Sequence, residues 1–212
     1  MKGEHMTSHA PTTQRAAQKQ ESKNRLLRVA SRTLRKLGST KLSINDVSAQ
    51  AGLTHGAFYA HFKNKKDLLR QAFHAAFDHR DTWLATASAP TPKQRKAQLI
   101  ANYLTPEHRD HPENGCAFAA CAHDIAKAGA EEKSAFETEL KTSLARVEEL
   151  LSEAKLGAKS RAKSENEKAE AINLISTCVG AILLSRAVED PHFSQSILTA
   201  ARDISGAPNK GK

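Results

Sequence analysis

At 212 residues, 39% of them hydrophobic, the chain is long enough to bury a sizeable core. The formal net charge of +9 is unevenly placed: residues 1–80 carry 15 Lys and Arg against 5 Asp and Glu, and residues 81–212 carry 17 against 18. A basic first third on a neutral remainder points to a polyanion partner for the first part alone, and excludes little else, since charge does not separate DNA from RNA or membrane phosphate.

Only 10 Gly and 7 Pro, with no alternating strand pattern bounded by turn residues, predict an all-α fold. No apolar run approaches the roughly 18 residues of a membrane span, and no signal-peptide core follows the basic N-terminus. The three cysteines form no CxxC, so a reduced, cytoplasmic chain with no membrane partner is expected. Residues 1–20 are polar and read as a flexible tail, with Met6 an alternative start and Arg15 and Lys19 a basic arm. From Glu21 to Leu37, Leu26, Leu27, Ala30, Leu34 and Leu37 recur at helical spacing, and Gly38 ends the helix.

The stretch from Ser43 to Phe62 then reads as two short helices around a turn at Ala51-Gly52-Leu53. Ser43 caps the first and Thr54 the second, and Phe58 and Phe62, four apart, pack back on the first. That leaves Thr54, His55, Gly56, Ala57, Tyr59, Ala60 and His61 outward, with no acidic group among them. Such a helix beside basic flanks fits a DNA major groove. Gly56 alternatively serves close packing, and Ser43 alternatively acts only as a cap. After Lys63-Asn64-Lys65-Lys66, a longer helix is expected to run without a break past Trp83 towards Ser88. It would belong to both halves of the chain and be the point of control between them.

This region resembles the N-terminal signature of the TetR family of bacterial transcriptional regulators. Ala30, Gly38, Asp46-Val47, Ala51-Gly52-Leu53, Gly56, Phe58-Tyr59, His61-Phe62, Lys65 and Leu68-Leu69 carry the likeness in order and spacing; Ala57 and Lys66 depart from the commoner Thr and Glu. The resemblance implies that Ser43 and Thr54 contact phosphate or base edges and that His55, Gly56 and Ala57 face the groove floor. Tyr59, His61 and Lys65 would bond phosphate. It also implies a homodimer on a double-stranded DNA operator, with a small-molecule effector releasing it.

Further on, Ala89-Pro90-Thr91-Pro92 reads as a turn, a helix resumes from Lys93 to Leu104, and Pro106 to Gly115 reads as a polar loop. Cys116 to Ala122 reads as a buried helix, and Glu131–Leu156, Glu165–Val188 and Pro191–Ile204 as three more, with 157–163 a basic loop. The last two long helices hold more apolar surface than one core needs, so a four-helix dimer interface is expected. The domains expected are a tail (1–20), a helix-turn-helix DNA-binding domain (21–80), a helical-bundle ligand-binding and dimerisation domain (81–206) and a tail (207–212).

Cys116, after Gly115 at a helix start, is a sensor candidate, because the helix dipole lowers a thiol's pKa there. The segment from His108 to Asp124 also resembles the ligand domains of a TetR subgroup with Gly-Cys at this point. The Cys and His spacings match no compact metal site, and no motif for a catalytic nucleophile or a cofactor is present. The reading is a DNA-binding regulator that is no enzyme, most simply a ligand-released repressor. Open beside it stand a DNA-binding dimer without effector, a thiol-sensing regulator acting through Cys116, and an RNA binder.

Overall fold

The computed structural model describes residues 10–78, 80–152 and 165–204. Among them there are eleven α-helices and no strand: α1 (Ala10–Leu37), α2 (Ile44–Gln50), α3 (His55–Tyr59), α4 (Lys65–Ala75), α5 (Arg80–Leu84), α6 (Pro92–Tyr103), α7 (Pro106–Asp110), α8 (Ala117–Ala126), α9 (Ala130–Leu151), α10 (Glu165–Ala187) and α11 (Pro191–Ile204). The expected tail at 207–212, the basic loop at 157–163 and the first nine residues lie outside the described residues.

The short helices start where local chemistry satisfies their free amides. Ser43 Oγ accepts from Asp46 N at 3.4 Å, Thr54 Oγ1 from Ala57 N at 3.2 Å, and Asn64 Oδ1 from Asp67 N at 2.9 Å. Asp67 in turn accepts from Lys63 N at 3.1 Å, reaching back one residue beyond the cap at the start of α4. Gly52, with φ at +67°, makes the turn between α2 and α3 that a side chain would strain.

Four expectations change. The first helix begins at Ala10, not Glu21, so the second half of the expected tail is helical; Gln, Ala, Arg and Lys have adequate propensity even without an apolar face. The polar segment after Leu104 is not all loop. Thr105 caps and Pro106 opens α7, a pairing that favours helix starts, and Pro112–Asn114 adds a 3-10 turn. The long fourth helix is broken at Ala76. In an unbroken helix the Ala76 carbonyl would accept from Arg80 N; instead it accepts from Arg35 Nη1 at 3.1 Å, and Arg80 N turns to Phe77 O at 2.9 Å. Finally, residues 166–187 of α10 are long and apolar enough, by length and composition, to cross a membrane. Leu174, Cys178, Ala181 and Ile182 of that helix are buried in the core.

Two cores result. One gathers α1 to α4 around Leu26, Leu34, Val47, Phe58, Phe62 and Leu68. The other gathers α5, α6, α9, α10 and α11 around Leu99, Ile100, Val147, Leu174, Ile182 and Leu198. Helix α8 belongs to both: Ala117, Phe118 and Cys121 sit in the first core, Ala119 in the second. Four phenylalanines tie the junction, with ring centroids 5.1 Å apart for Phe73 and Phe77, 4.8 Å for Phe77 and Phe118, and 5.3 Å for Phe118 and Phe136. Arg35 joins the same place by a polar route, its buried guanidinium also donating through Nε to Glu113 O at 2.9 Å. Helices α10 and α11 also expose Ile172, Leu183, Leu184 (61%) and Phe193 (56%).

Candidate nucleic-acid interface and ligand cavity

The outward face of α3 is small and uncharged. His55, Gly56 and Tyr59 are exposed, Tyr59 to 56%, and the His55 and Tyr59 rings stack at 5.3 Å. Thr54 is exposed while its hydroxyl caps the helix; Ser43 is half-buried and caps α2. Ala57 is half-buried. A Cβ at Gly56 would meet only Thr54 Oγ1, at 4.0 Å, so packing within the chain does not demand glycine there. What glycine leaves is room on the outside.

Positive charge flanks this face. Lys65 is the first residue of α4, half-buried, and Lys63 is exposed beside it. Helix α1 adds Lys19, from its unexpected first part, and Lys23, which lies 5.9 Å over the Phe62 ring. Partial burial, then these two lysines, push the His61 pKa down, so the ring is neutral and able to donate or accept one hydrogen bond. Lys23 was missed in the sequence because its place beside His61 depends on how α1 crosses the turn after α3. Lys66 is not part of the flank as expected: it turns to α9, pairing with Glu131 at 2.8 Å and Glu132 at 3.4 Å.

The second feature is a cavity of about 330 Å³ walled by the end of α4, α5, α6, α8, α9 and α10. Phe77, Trp83, Tyr103, Phe118, Ile175 and Val179 make it mainly apolar, and Cys116 lies on its wall as the N-cap residue of α8. Another space of about 360 Å³ lies between α4, α8 and the start of α9, beside the Lys66 ion pairs. The three cysteines are free, and only Cys116 is less than fully buried. Among the described residues no group of three or more potential ligands gathers for a metal ion.

His108 sets the position of Cys116. Its Nδ1 donates to Tyr103 O at 2.8 Å and its Nε2 accepts from Cys116 N at 2.9 Å. Those two bonds require the neutral ring protonated on Nδ1. Burial, with Arg186 nearby, pushes the His108 pKa down despite the Tyr103 bond. Gly115 makes this approach possible, because a Cβ there would lie 2.7 Å from the imidazole. None of this was legible in sequence, where His108 stood in an expected loop.

Residues 26–72 match the family profile described as "Bacterial regulatory proteins, tetR family". Two curated relatives from Pseudomonas putida, the HTH-type transcriptional regulator TtgR and the Probable HTH-type transcriptional regulator ArpR, are each 33% identical over 63 residues. The match spans 28% of this chain and 30% of each relative's length. Solved structures extend the likeness of fold to nearly the whole chain. A TetR-family regulator from Cytophaga hutchinsonii superposes with a TM-score of 0.72 at 16% identity, over 92% of this chain and 98% of that one. One from Chloroflexus aurantiacus J-10-FL gives 0.72 at 19%, over 89% and 94%. The reduced form of Escherichia coli NemR gives 0.67 at 14%, over 86% and 96%.

A pH dependence follows from the lowered histidines. A folded state that resists protonating His108 is stable above the unfolded pKa and loses that stability as pH falls through it, so the unfolding free energy should drop below about pH 6.5. Urea unfolding followed from about pH 8 to about pH 5 should show this slope, and His108→Gln should lessen it. The remainder of the slope is expected from His61, whose pKa is lowered in the same sense.

Proposed function

Given that residues 26–72 are a TetR-family N-terminal domain in a chain with that family's fold, we propose that the protein is a sequence-specific DNA-binding transcriptional regulator. It acts as a homodimeric repressor on a palindromic operator and lets go when a small molecule fills the cavity. The exposed apolar face of α10 and α11 supports the dimer, since a large apolar surface is stabilised by being covered. Two-fold symmetry would set the two α3 helices in major grooves about 34–36 Å apart, or a multiple of that.

One observation carries the ligand part: Phe77 and Phe118 line the cavity and also belong to the core of the DNA-binding unit. A ligand that displaces either ring acts on α4 and α8 together, and so favours one arrangement of α3 over another. The control point is then α8 and its phenylalanine contacts, in place of a continuous fourth helix. In DNA binding, Thr54, His55, Gly56 and Ala57 approach base edges, while Ser43, Tyr59, His61 and Lys65 bond phosphate. The bare centre and basic flanks divide the work: affinity comes from phosphate contacts, and specificity from close backbone approach and DNA shape.

Titration of a fluorescent operator duplex at several salt concentrations tests this division. Lys65→Ala should weaken binding on all sequences alike and lower the salt slope by roughly one. Lys66→Ala, already paired with Glu131 and Glu132, should leave the slope unchanged. Equal effects of the two would remove the assignment of Lys65 to phosphate.

A second reading, a regulator switched through the Cys116 thiol, is favoured by the position of that side chain. Cys116 is half-buried on the cavity wall, whereas burial pushes the Cys121 thiol up to about 12 and raises Cys178 as well. Iodoacetamide should then alkylate Cys116 alone in the folded protein and reduce operator affinity. Full alkylation with undiminished operator binding contradicts it.

A further inference from the structure

Two residues of the cavity lining each carry a buried donor without an acceptor in good hydrogen-bond geometry. The Tyr103 hydroxyl is only 6% exposed at the residue level and, although beside the Cys116 thiol, has no hydrogen-bond partner of good geometry. Arg80 Nε is likewise buried and unpaired, with Asp81 Oδ1 at 4.0 Å, beyond hydrogen-bond reach. The rest of that guanidinium is committed: Nη1 donates to Glu139 Oε2 at 2.9 Å and to Ser143 Oγ at 3.3 Å. Both residues line the cavity.

The neighbouring polar groups are already in use. Trp83 Nε1 donates to Leu99 O at 3.2 Å, Ser143 Oγ donates to Glu139 O at 2.9 Å, and both nitrogens of His108 are taken. The other acceptors on the lining, among them Asn102, Glu107 and Asn114, bond neither of these two donors. Buried donors left unpaired are unfavourable, and of the five such side-chain atoms among the described residues these two belong to residues that line one cavity.

We propose that this cavity takes a small aromatic monocarboxylate. Its carboxylate accepts from Tyr103 Oη and Arg80 Nε, and its apolar body lies among Phe77, Trp83 and Phe118. A carboxylate suits a guanidinium better than a neutral carbonyl does, because charge-assisted bonds are roughly twice as strong. The volume lies at the low end of the range of about 300–1,000 Å³ usual for ligand sites, which favours a compact ring over a long chain. The inference rests on the reading of this cavity as the effector site and names the chemistry of the effector.

Trp83 is the chain's only tryptophan, so its emission reports on this cavity directly. The probes are 3-phenylpropionate and its neutral counterpart 3-phenylpropionamide, with excitation chosen so that neither absorbs. The acid should shift Trp83 emission saturably and bind at least about tenfold tighter than the amide, as expected for a charge-assisted pair. Tyr103→Phe should weaken the acid more than the amide, whose carbonyl loses only a neutral hydrogen bond. The same change should keep or raise the ligand-free thermal midpoint, because it deletes an unpaired buried hydroxyl. Arg80→Lys should weaken the acid selectively as well.

Equal binding of acid and amide, or no saturable change with either, overturns the proposal. If both probes bind equally and still release operator, the effector reading survives and the carboxylate does not. If the acid binds selectively but operator binding is unaffected, the carboxylate site stands and ligand-controlled release fails.

Discussion

The contact between Phe77 and Phe118 fastens α8, the helix shared by the two cores, to the first core, and the rest of the arrangement depends on it. Phe77 closes the first core at the end of α4, and Phe118 enters the same core from α8, a helix that also lies against the second. Burying a side chain of this kind contributes about 1.5–3 kcal/mol, and both rings are nearly fully buried. The ion pairs between α4 and α9 lie at the surface, where water and salt weaken them. Apolar contact therefore dominates the junction, and the ion pairs adjust it. Because both rings also line the cavity, a ligand there would touch this contact.

Arg35 explains why the junction is a joint and not a rod. By drawing away the Ala76 carbonyl it ends α4, and the chain turns through residues 76–78 before α5 begins. A continuous helix would transmit motion as a lever. The broken one leaves transmission to side-chain packing, which changes between discrete arrangements more readily than it bends.

The parts legible in sequence were those whose causes are local. Ser43, Thr54 and Asn64 cap helices through amides three residues away, and the Phe58 and Phe62 pair follows from helical spacing. The end of α4 was hidden because its cause, Arg35, lies 41 residues away in sequence from Ala76. Lys66 read as part of the positive charge beside α3, and its pairing with Glu131, 65 residues on, depends on where α9 lies. Helix α7 had a local signal in Thr105-Pro106, but its polar composition and prolines suggested a loop. The cavity had none: Phe77, Tyr103, Phe118 and Val179 come from four helical regions and share no spacing.

The central claim, that Phe118 couples the cavity to the DNA-binding unit, is tested most directly by a thermodynamic cycle. Operator affinity would be measured with and without saturating 3-phenylpropionate, in the native chain and in Phe118→Leu, which keeps an apolar side chain but loses the ring contacts with Phe77 and Phe136. The account predicts that the native chain loses operator affinity on binding the probe. In the variant, probe and operator should each still bind, with the coupling between them largely abolished. A variant that binds both and shows the native coupling would contradict it.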